Sequence, residues 1–173
     1  MSAKWDGGDA AFSDCGRYRY RLDRWWNYGA GILIFIGLNP STADAEKDDP
    51  TCAKEIRWAQ REGYCHYVKL NLCAWRATNP RDMRQQGRAA IGPRNWEHIA
   101  EAVREAQAVE SNKVVLAWGA GSGPGDYAHL YRHVAMVDLL RHLGSDLMCF
   151  GHTKDGYPRH PCRMSNDSRM IRY

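Results

Sequence analysis

Polar residues follow the ends of four apolar, strand-like runs in this sequence. In the first of them, residues 32–36 (Ile-Leu-Ile-Phe-Ile) lead directly into residues 37–44 (Gly-Leu-Asn-Pro-Ser-Thr-Ala-Asp). The other runs, with the polar residues that end them, are residues 68–71, 114–119 and 147–153. Ligands of open α/β sheets bind beyond the carboxyl ends of the strands. The pattern therefore predicts one site on which four strand ends converge.

The loop after the first run is acidic, and Asp44, Asp48 and Asp49 are candidate ligands for Mg²⁺ with a substrate phosphate. A structural role is the alternative, because Asp49 before Pro50 is typical of a helix N-cap. The site is predicted to hold no metal or other cofactor, although both roles of the carboxylates stay open at this point.

A glycine-rich turn at residues 119–125 follows the third run. Backbone N–H groups in such turns can cradle phosphate. No Lys-Ser/Thr pair follows, so the turn is not a P-loop. A tight connection between strand and helix is the favoured interpretation.

Strands and helices that alternate along the chain must position these residues. Helical spacing of apolar residues predicts three helices, at residues 50–62, 95–109 and 127–143. Strands are predicted at residues 32–36, 65–72, 113–118 and 146–150. The chain after residue 150 is predicted to be polar loop. This alternation favours a three-layer α/β/α sandwich around a central, mainly parallel, four-stranded sheet.

Arginines alternate with aromatic and apolar residues over residues 17–22 (Arg-Tyr-Arg-Tyr-Arg-Leu). The period of two predicts a strand with one apolar and one basic face. We expect an edge strand with solvated arginines, and a ribbon that contacts phosphates is the alternative. The length favours a single domain over residues 1–173, in which residues 1–30 form an N-terminal extension.

The composition is that of an ordinary globular protein, with 44% hydrophobic and 25% charged residues. No apolar run approaches the roughly 20 residues of a membrane helix, and residues 1–6 carry no apolar signal region. The six cysteines show no C-x-x-C spacing and are expected to be reduced. These features predict a cytoplasmic protein without a membrane partner.

The net charge is +4, and most of the basic residues are arginines. Arginine binds phosphate through a planar fork and stacks on bases. Seven Trp and nine Tyr add stacking surfaces. This favours DNA or a nucleotide as the partner, whereas protein partners are not indicated. A mildly basic domain with solvated arginines is the alternative.

Six short stretches spread along the chain are distinctive: residues 18–20, 37–44, 49–51, 71–72, 76–78 and 155–161. They resemble DUF1643, a bacterial and phage family of unassigned function. The resemblance covers most of the chain and implies no particular activity.

Four motifs also follow the predicted elements in a fixed order: Gly37-Leu38-Asn39-Pro40, Asn71 with the loop to Asn79-Pro80, Trp118-Gly119-Ala120-Gly121, and His160-Pro161. Their order resembles, more distantly, the uracil-DNA glycosylase superfamily. The resemblance implies a glycosylase-like fold. It also implies an enzyme that hydrolyses the N-glycosidic bond of a modified or mismatched base.

By this resemblance, Asn39 would hold the attacking water and His160 would stabilise the departing base. The residues predicted to bind the base or substrate are Asn71, Ser41, Thr42, Asp44, Trp118 and Gly119. Contacts with phosphates or DNA are predicted for Arg76, Lys154, Arg159 and Arg163. An enzyme of this kind reads a base that has been flipped out of the stack.

The sequence departs from the glycosylase pattern at the acidic loop and at Cys162-Arg163, which stand where Ser-Pro is usual. Two other functions therefore stay open. One is a non-catalytic module that binds DNA or a modified base, and the other is a metal-dependent enzyme acting on a free nucleotide. Individual residues also have structural alternatives, since Asn39 could shape a turn, Asn71 could satisfy backbone groups and Trp118 could belong to the core.

Overall fold

Seven strands form one mixed sheet in the computed structural model, which describes residues 5–121 and 126–173. The strands are β1 (Gly7–Phe12), β2 (Arg19–Trp25), β3 (Ile32–Gly37), β4 (His66–Asn71), β5 (Lys113–Leu116), β6 (Asp146–Cys149) and β7 (Ile171–Arg172). The α-helices in these residues are α1 (Pro50–Arg61), α2 (Pro80–Gln85), α3 (Asn95–Ala108) and α4 (Tyr127–His142). Short 3-10 helices lie at Gly87–Ile91 and Pro161–Arg163.

The sheet is larger and more mixed than the sequence predicts. Its strand order is β1-β2-β4-β3-β5-β6-β7. The contiguous strands β4, β3, β5 and β6 pair in parallel, whereas β1, β2 and β7 join through antiparallel pairings. The expected four-stranded sheet is corrected to seven strands, because three strands outside the strand–helix alternation extend it at both ends.

Helices cover both faces of the sheet, because alternate residues of β3 point to opposite sides. Leu33 and Phe35 belong to the core cluster that contains Ile56 and Trp58 of α1. Ile34, which points to the opposite side, belongs to the cluster that contains buried residues of α3 and α4. None of the helices in the described residues combines the length and apolar character needed to cross a membrane.

Strand β2 lies inside the sheet, between β1 and β4. The expected edge position is therefore wrong, and so is the expected solvation of Arg19, which is 1% exposed, whereas Arg17 before the strand is exposed as expected. Arg24, further along the strand, is 0% exposed. The reason is tertiary: β1 pairs along one side of β2, and the loop after β3 covers these side chains. Arg24 Nε lies 2.9 Å from Asp48 Oδ1 of that loop, and Arg19 donates to the Ala43 carbonyl.

The start of α1 is fixed as the sequence predicts. Asp49 is the N-cap, and its Oδ1 accepts a hydrogen bond from the Cys52 backbone N–H at 2.8 Å. Pro50 is the first helical residue, where its missing N–H costs nothing. The cap places the N-terminus of α1 near the carboxyl end of β3.

Only part of the glycine-rich turn can be compared with its prediction, because residues 122–125 lie outside the described residues. Gly119 has φ +75°, and a Cβ at this position would lie 3.2 Å from Cβ of His160. The backbone N–H of Gly119 donates to the Pro158 carbonyl at 2.9 Å. The turn after β5 therefore packs directly against the segment that carries His160.

Candidate functional site

Two adjoining cavities lie at the carboxyl edge of the parallel strands. The inner cavity has a volume of about 220 Å³, and its walls come from the ends of β3 and β4, the start of α1 and the loop after β4. The outer cavity measures about 640 Å³ and lies against residues 118–121 and part of residues 153–163. Among the described residues, four line both cavities and form what we call the shared wall: Leu38, Asn39, Pro80 and His160.

A buried ion pair stands beside the inner cavity. Lys69 Nζ lies 2.7 and 2.9 Å from the two carboxylate oxygens of Glu55, which is fully buried. The Tyr67 hydroxyl donates to the same carboxylate at 2.6 Å. Burial raises the pKa of Glu55, and the Lys69 charge opposes that rise. The network holds the Lys69 ammonium in place where β4 lines the cavity.

The side chain of Asn71 has no hydrogen-bond partner in the described part of the chain. This residue ends β4, is 1% exposed and lines the inner cavity. Both Oδ1 and Nδ2 are buried and unpaired. A buried polar group without a partner costs about 1–3 kcal/mol. The amide is thus poised for a ligand that offers a donor and an acceptor.

Asn39 connects the turn after β3 to the loop after β4. Its Nδ2 donates to the carbonyl oxygens of Pro40, at 3.0 Å, and of Ala77, at 2.7 Å. Since the amide nitrogen is engaged in this way, Oδ1 is the atom left to act on a ligand. An acceptor at this position can bind a water molecule through one of its O–H groups.

His160 is a neutral hydrogen-bond donor in the shared wall. Its Nδ1 accepts from the Cys162 backbone N–H at 3.2 Å, which leaves the ring proton on Nε2. Nδ1 also lies 3.1 Å from Cys162 Sγ. Burial and the positive charge of Lys69 lower the pKa of His160 to about 4. The ring is therefore uncharged at neutral pH.

The outer cavity is basic. Three arginines, Arg84, Arg159 and Arg163, line it, and none of its described lining residues is acidic. Arg159 is held by a hydrogen bond from Nε to the His152 carbonyl at 2.9 Å. Trp118, which also lines the cavity, is 1% exposed, and its Nε1 has no hydrogen-bond partner among the described residues.

The structure brings together eight of the predicted site residues. Asn39, Ser41, Asn71 and His160 line the inner cavity, and the outer cavity adds Trp118, Gly119, Arg159 and Arg163. The predicted residues that come together are up to 124 positions apart in sequence, from 39 to 163.

Four other predicted residues, Thr42, Asp44, Arg76 and Lys154, line neither cavity. Thr42 and Lys154 are exposed. Asp44 accepts hydrogen bonds from the backbone N–H groups of the two residues at positions 46 and 47, which lower its pKa. Arg76 lies over the Phe12 ring, 4.9 Å from its centroid. Their contacts place these residues elsewhere on the surface.

The carboxylates of the acidic loop have separate structural partners. Asp44 closes a local turn and Asp49 caps α1. Asp48 accepts from Trp5 Nε1 at 2.8 Å and from Arg24 Nε at 2.9 Å. No group of three His, Cys, Asp or Glu side chains suited to a metal occurs in the described residues. The three aspartates therefore do not form the cluster that the Mg²⁺ hypothesis requires.

Gly37 leaves space for the polar groups of the inner cavity. A Cβ at this position would lie 2.8 Å from Lys69 Nζ and 2.9 Å from Asn71 Oδ1. Because Glu55 holds the ammonium in place, Gly37→Ala is expected to lower the free energy of unfolding by about 1–3 kcal/mol through overpacking. Urea unfolding measures this change. A variant as stable as the wild type would show that these groups move aside without cost.

Comparison with known families gives one match, over residues 19–162, to DUF1643, a family described as proteins of unknown function. The chain belongs to the DUF1643 family. The matched segment starts at the first residue of β2 and contains all the described residues that line the inner cavity. The family predicted from the sequence is confirmed. No curated protein and no solved structure matches the chain, and the resemblance to uracil-DNA glycosylases has no support from these comparisons.

Sequence reasoning missed three buried charges of this DUF1643 chain: Arg19, Lys69 and Glu55. Arg19 and Lys69 line the inner cavity, and Glu55 holds Lys69. One signal could have found Lys69, since it stands between Val68 and Leu70 in an apolar strand. A charge within a buried strand needs a partner.

Proposed function

We propose that this DUF1643 protein hydrolyses the N-glycosidic bond of a modified or mismatched base in DNA, with the base in the inner cavity. The observation that carries the proposal is the buried, unpartnered amide of Asn71. An amide presents one acceptor and two donor hydrogens in a plane. The edges of nucleobases present the complementary pattern.

The size of the inner cavity supports a base rather than a larger ligand. Sites for drug-sized ligands measure about 300–1,000 Å³, and this cavity measures about 220 Å³. A single heterocycle suits such a volume. Its sugar would then lie beside the shared wall, next to Asn39 and His160.

The groups of the shared wall suit the chemistry of base departure. Cleavage makes the sugar electron-poor and leaves negative charge on the base, so donors aimed at the base stabilise the transition state. His160 would donate from Nε2, and the Lys69 ammonium would add positive charge nearby. Asn39 Oδ1 would orient the water that attacks the sugar.

The outer cavity would hold the DNA backbone. Arginine pairs with phosphate through two parallel hydrogen bonds. Three arginines line this cavity. Arg84 Nε lies 3.9 Å from Asp126 Oδ2, whereas Arg159 and Arg163 line the cavity without a carboxylate among its described lining residues. A base that reaches the inner cavity must leave the helical stack. The arginines would then bind the phosphates on either side of the flipped nucleotide.

The test is release of free base from duplex and single-stranded DNAs that carry uracil, mismatched, hydroxymethylated or deaminated bases. Alkali converts each resulting abasic site to a strand break. Asn71→Ala is expected to slow release roughly 10–100-fold, since a well-placed pair of hydrogen bonds to a base contributes about 1–3 kcal/mol. Asn27→Ala is the control, because Asn27 is exposed and lines neither cavity.

A non-catalytic DNA-binding module is the second candidate. Asn39 favours it, because its amide nitrogen already holds two backbone carbonyls and so has a structural role. This candidate predicts binding that weakens steeply with salt and no abasic sites with any DNA. If the protein releases a base and Asn71→Ala releases it at the wild-type rate, the assignment of Asn71 to the base site is contradicted instead.

A further inference from the structure

Three arginines on β2 differ in how their charge is balanced. Arg21 pairs with Asp23 at 2.8 Å and with Glu105 at 2.7 Å. Arg24, which is fully buried, pairs with Asp48 at 2.9 Å. Arg19 is equally buried, yet it has no carboxylate within 4.0 Å in the part of the chain that the structure describes.

The guanidinium of Arg19 is also incompletely hydrogen-bonded. Nη1 donates to the Ala43 carbonyl, and Nε is buried without a partner among the described residues. The side chain lines the inner cavity. A cation with unused donor capacity therefore lies where a ligand would be.

The neighbouring charges are already balanced by other groups. Lys69 is paired with Glu55 in a hydrogen-bonded ion pair. Asp49 accepts the Cys52 N–H and lies at the N-terminus of α1, where the helix dipole favours negative charge. Among the described residues that line the inner cavity, Arg19 is thus the cation without a carboxylate partner.

We infer that the inner cavity takes an oxyanion, a carboxylate or a phosphate, carried by the substrate as the counterion of Arg19. A buried charge is costly unless it is paired, and a ligand oxyanion would supply the missing acceptors. This inference rests on the proposed function, within which the substrate is a base with an acidic substituent. Asn71 would bind the amide edge of the ring and Arg19 the substituent.

The experiment measures binding of free bases to the whole protein by calorimetry, in buffer without phosphate. It compares 5-carboxyuracil with thymine, which carries a methyl group at the same carbon, and 6-carboxyuracil with 6-methyluracil. Inorganic phosphate is titrated separately. At least one carboxylated base is expected to bind about tenfold or more tightly than its methyl counterpart, because hydrogen bonds to charged groups are the stronger ones.

Arg19→Met is expected to abolish this preference. The matched control is Arg21→Met, since Arg21 lies on the same strand, pairs with acids and lines neither cavity. It should keep the preference. If Arg19→Met fails to fold, the comparison of carboxylated and methylated bases on the wild type decides the matter alone.

The outcomes separate this inference from the proposed function. If the methylated bases bind as tightly as both carboxylated bases, the oxyanion inference is overturned and the proposed base site is unaffected. Phosphate that binds through Arg19, with no binding of any base, would support the oxyanion and contradict the nucleobase proposal. An absence of binding by all of these ligands would overturn the inference.

Discussion

Replacing Lys69 with methionine is expected to lower the free energy of unfolding by about 3–5 kcal/mol at pH 7, because it leaves a buried carboxylate without its cation. Glu55 is 0% exposed, and both of its oxygens face the Lys69 ammonium. Of the hydrogen bonds to Glu55 in the described part of the chain, the one from the Tyr67 hydroxyl would then remain. Urea unfolding at constant pH measures the loss.

The pH dependence of that loss identifies its cause. Without Lys69, the carboxyl of Glu55 has its pKa raised further above the unfolded value of 4.5, so the folded variant binds a proton that the unfolded chain releases. The contribution of Glu55 to the stability of the variant is then fully present below pH 4.5 and is lost as pH rises through the folded pKa. Glu55→Gln in the same chain removes the charge and should recover most of the loss. A Lys69→Met protein within 1 kcal/mol of wild type, at all pH values, would contradict this account.

Replacing His160 with alanine is expected to slow base release about 10²–10³-fold, the usual cost of losing one donor to developing negative charge. In the proposed reaction the donor would be the Nε2–H group of His160, which is fixed by the hydrogen bond that Nδ1 accepts from the Cys162 backbone N–H. Single-turnover kinetics measure the chemical step. His160→Gln, which keeps an N–H donor, should recover part of the rate. His142→Ala is the control, since His142 is exposed in the last turn of α4.

The pH profile tests the protonation state of His160. Because its pKa is lowered to about 4, the rate should show no inflection from this group near its ordinary value of 6.5. An inflection at that pH, lost in His160→Ala, would mean that the ring titrates during catalysis. The same shift makes the fold less stable as pH falls from 6.5 toward 4, since the unfolded chain takes up the proton first.

The strand–helix alternation could be predicted because it depends on local patterns. The cap at Asp49 and the apolar run of β3 each depend on residues that are adjacent in sequence. The missed elements lack such signals: β1 opens with two glycines, and β7 has only two residues. Both exist because a neighbouring strand supplies their hydrogen bonds.

The candidate site likewise contains residues that the sequence could predict and residues that it could not. Asn39 and Asn71 stand at strand ends, where polar residues after apolar runs can be recognised, whereas His160 is indicated by the His-Pro motif of a late loop. Arg19 could not be assigned a buried position, because its alternation with aromatic residues is equally typical of a half-solvated strand. Its burial depends on β1 and on the loop around Ala43, which come from distant parts of the sequence.

The two hydrogen bonds from Asn39 to Pro40 and Ala77 have a consequence for how this position can change during evolution. Aspartate would keep an oxygen toward the ligand, but it would lose the donor that ties two loops together and would face their carbonyl oxygens. Alanine would lose both. Substitution by either residue would therefore change the spacing of the cavity walls as well as the chemistry. The single amide of Asn39 thus has two roles, and each of them constrains this position.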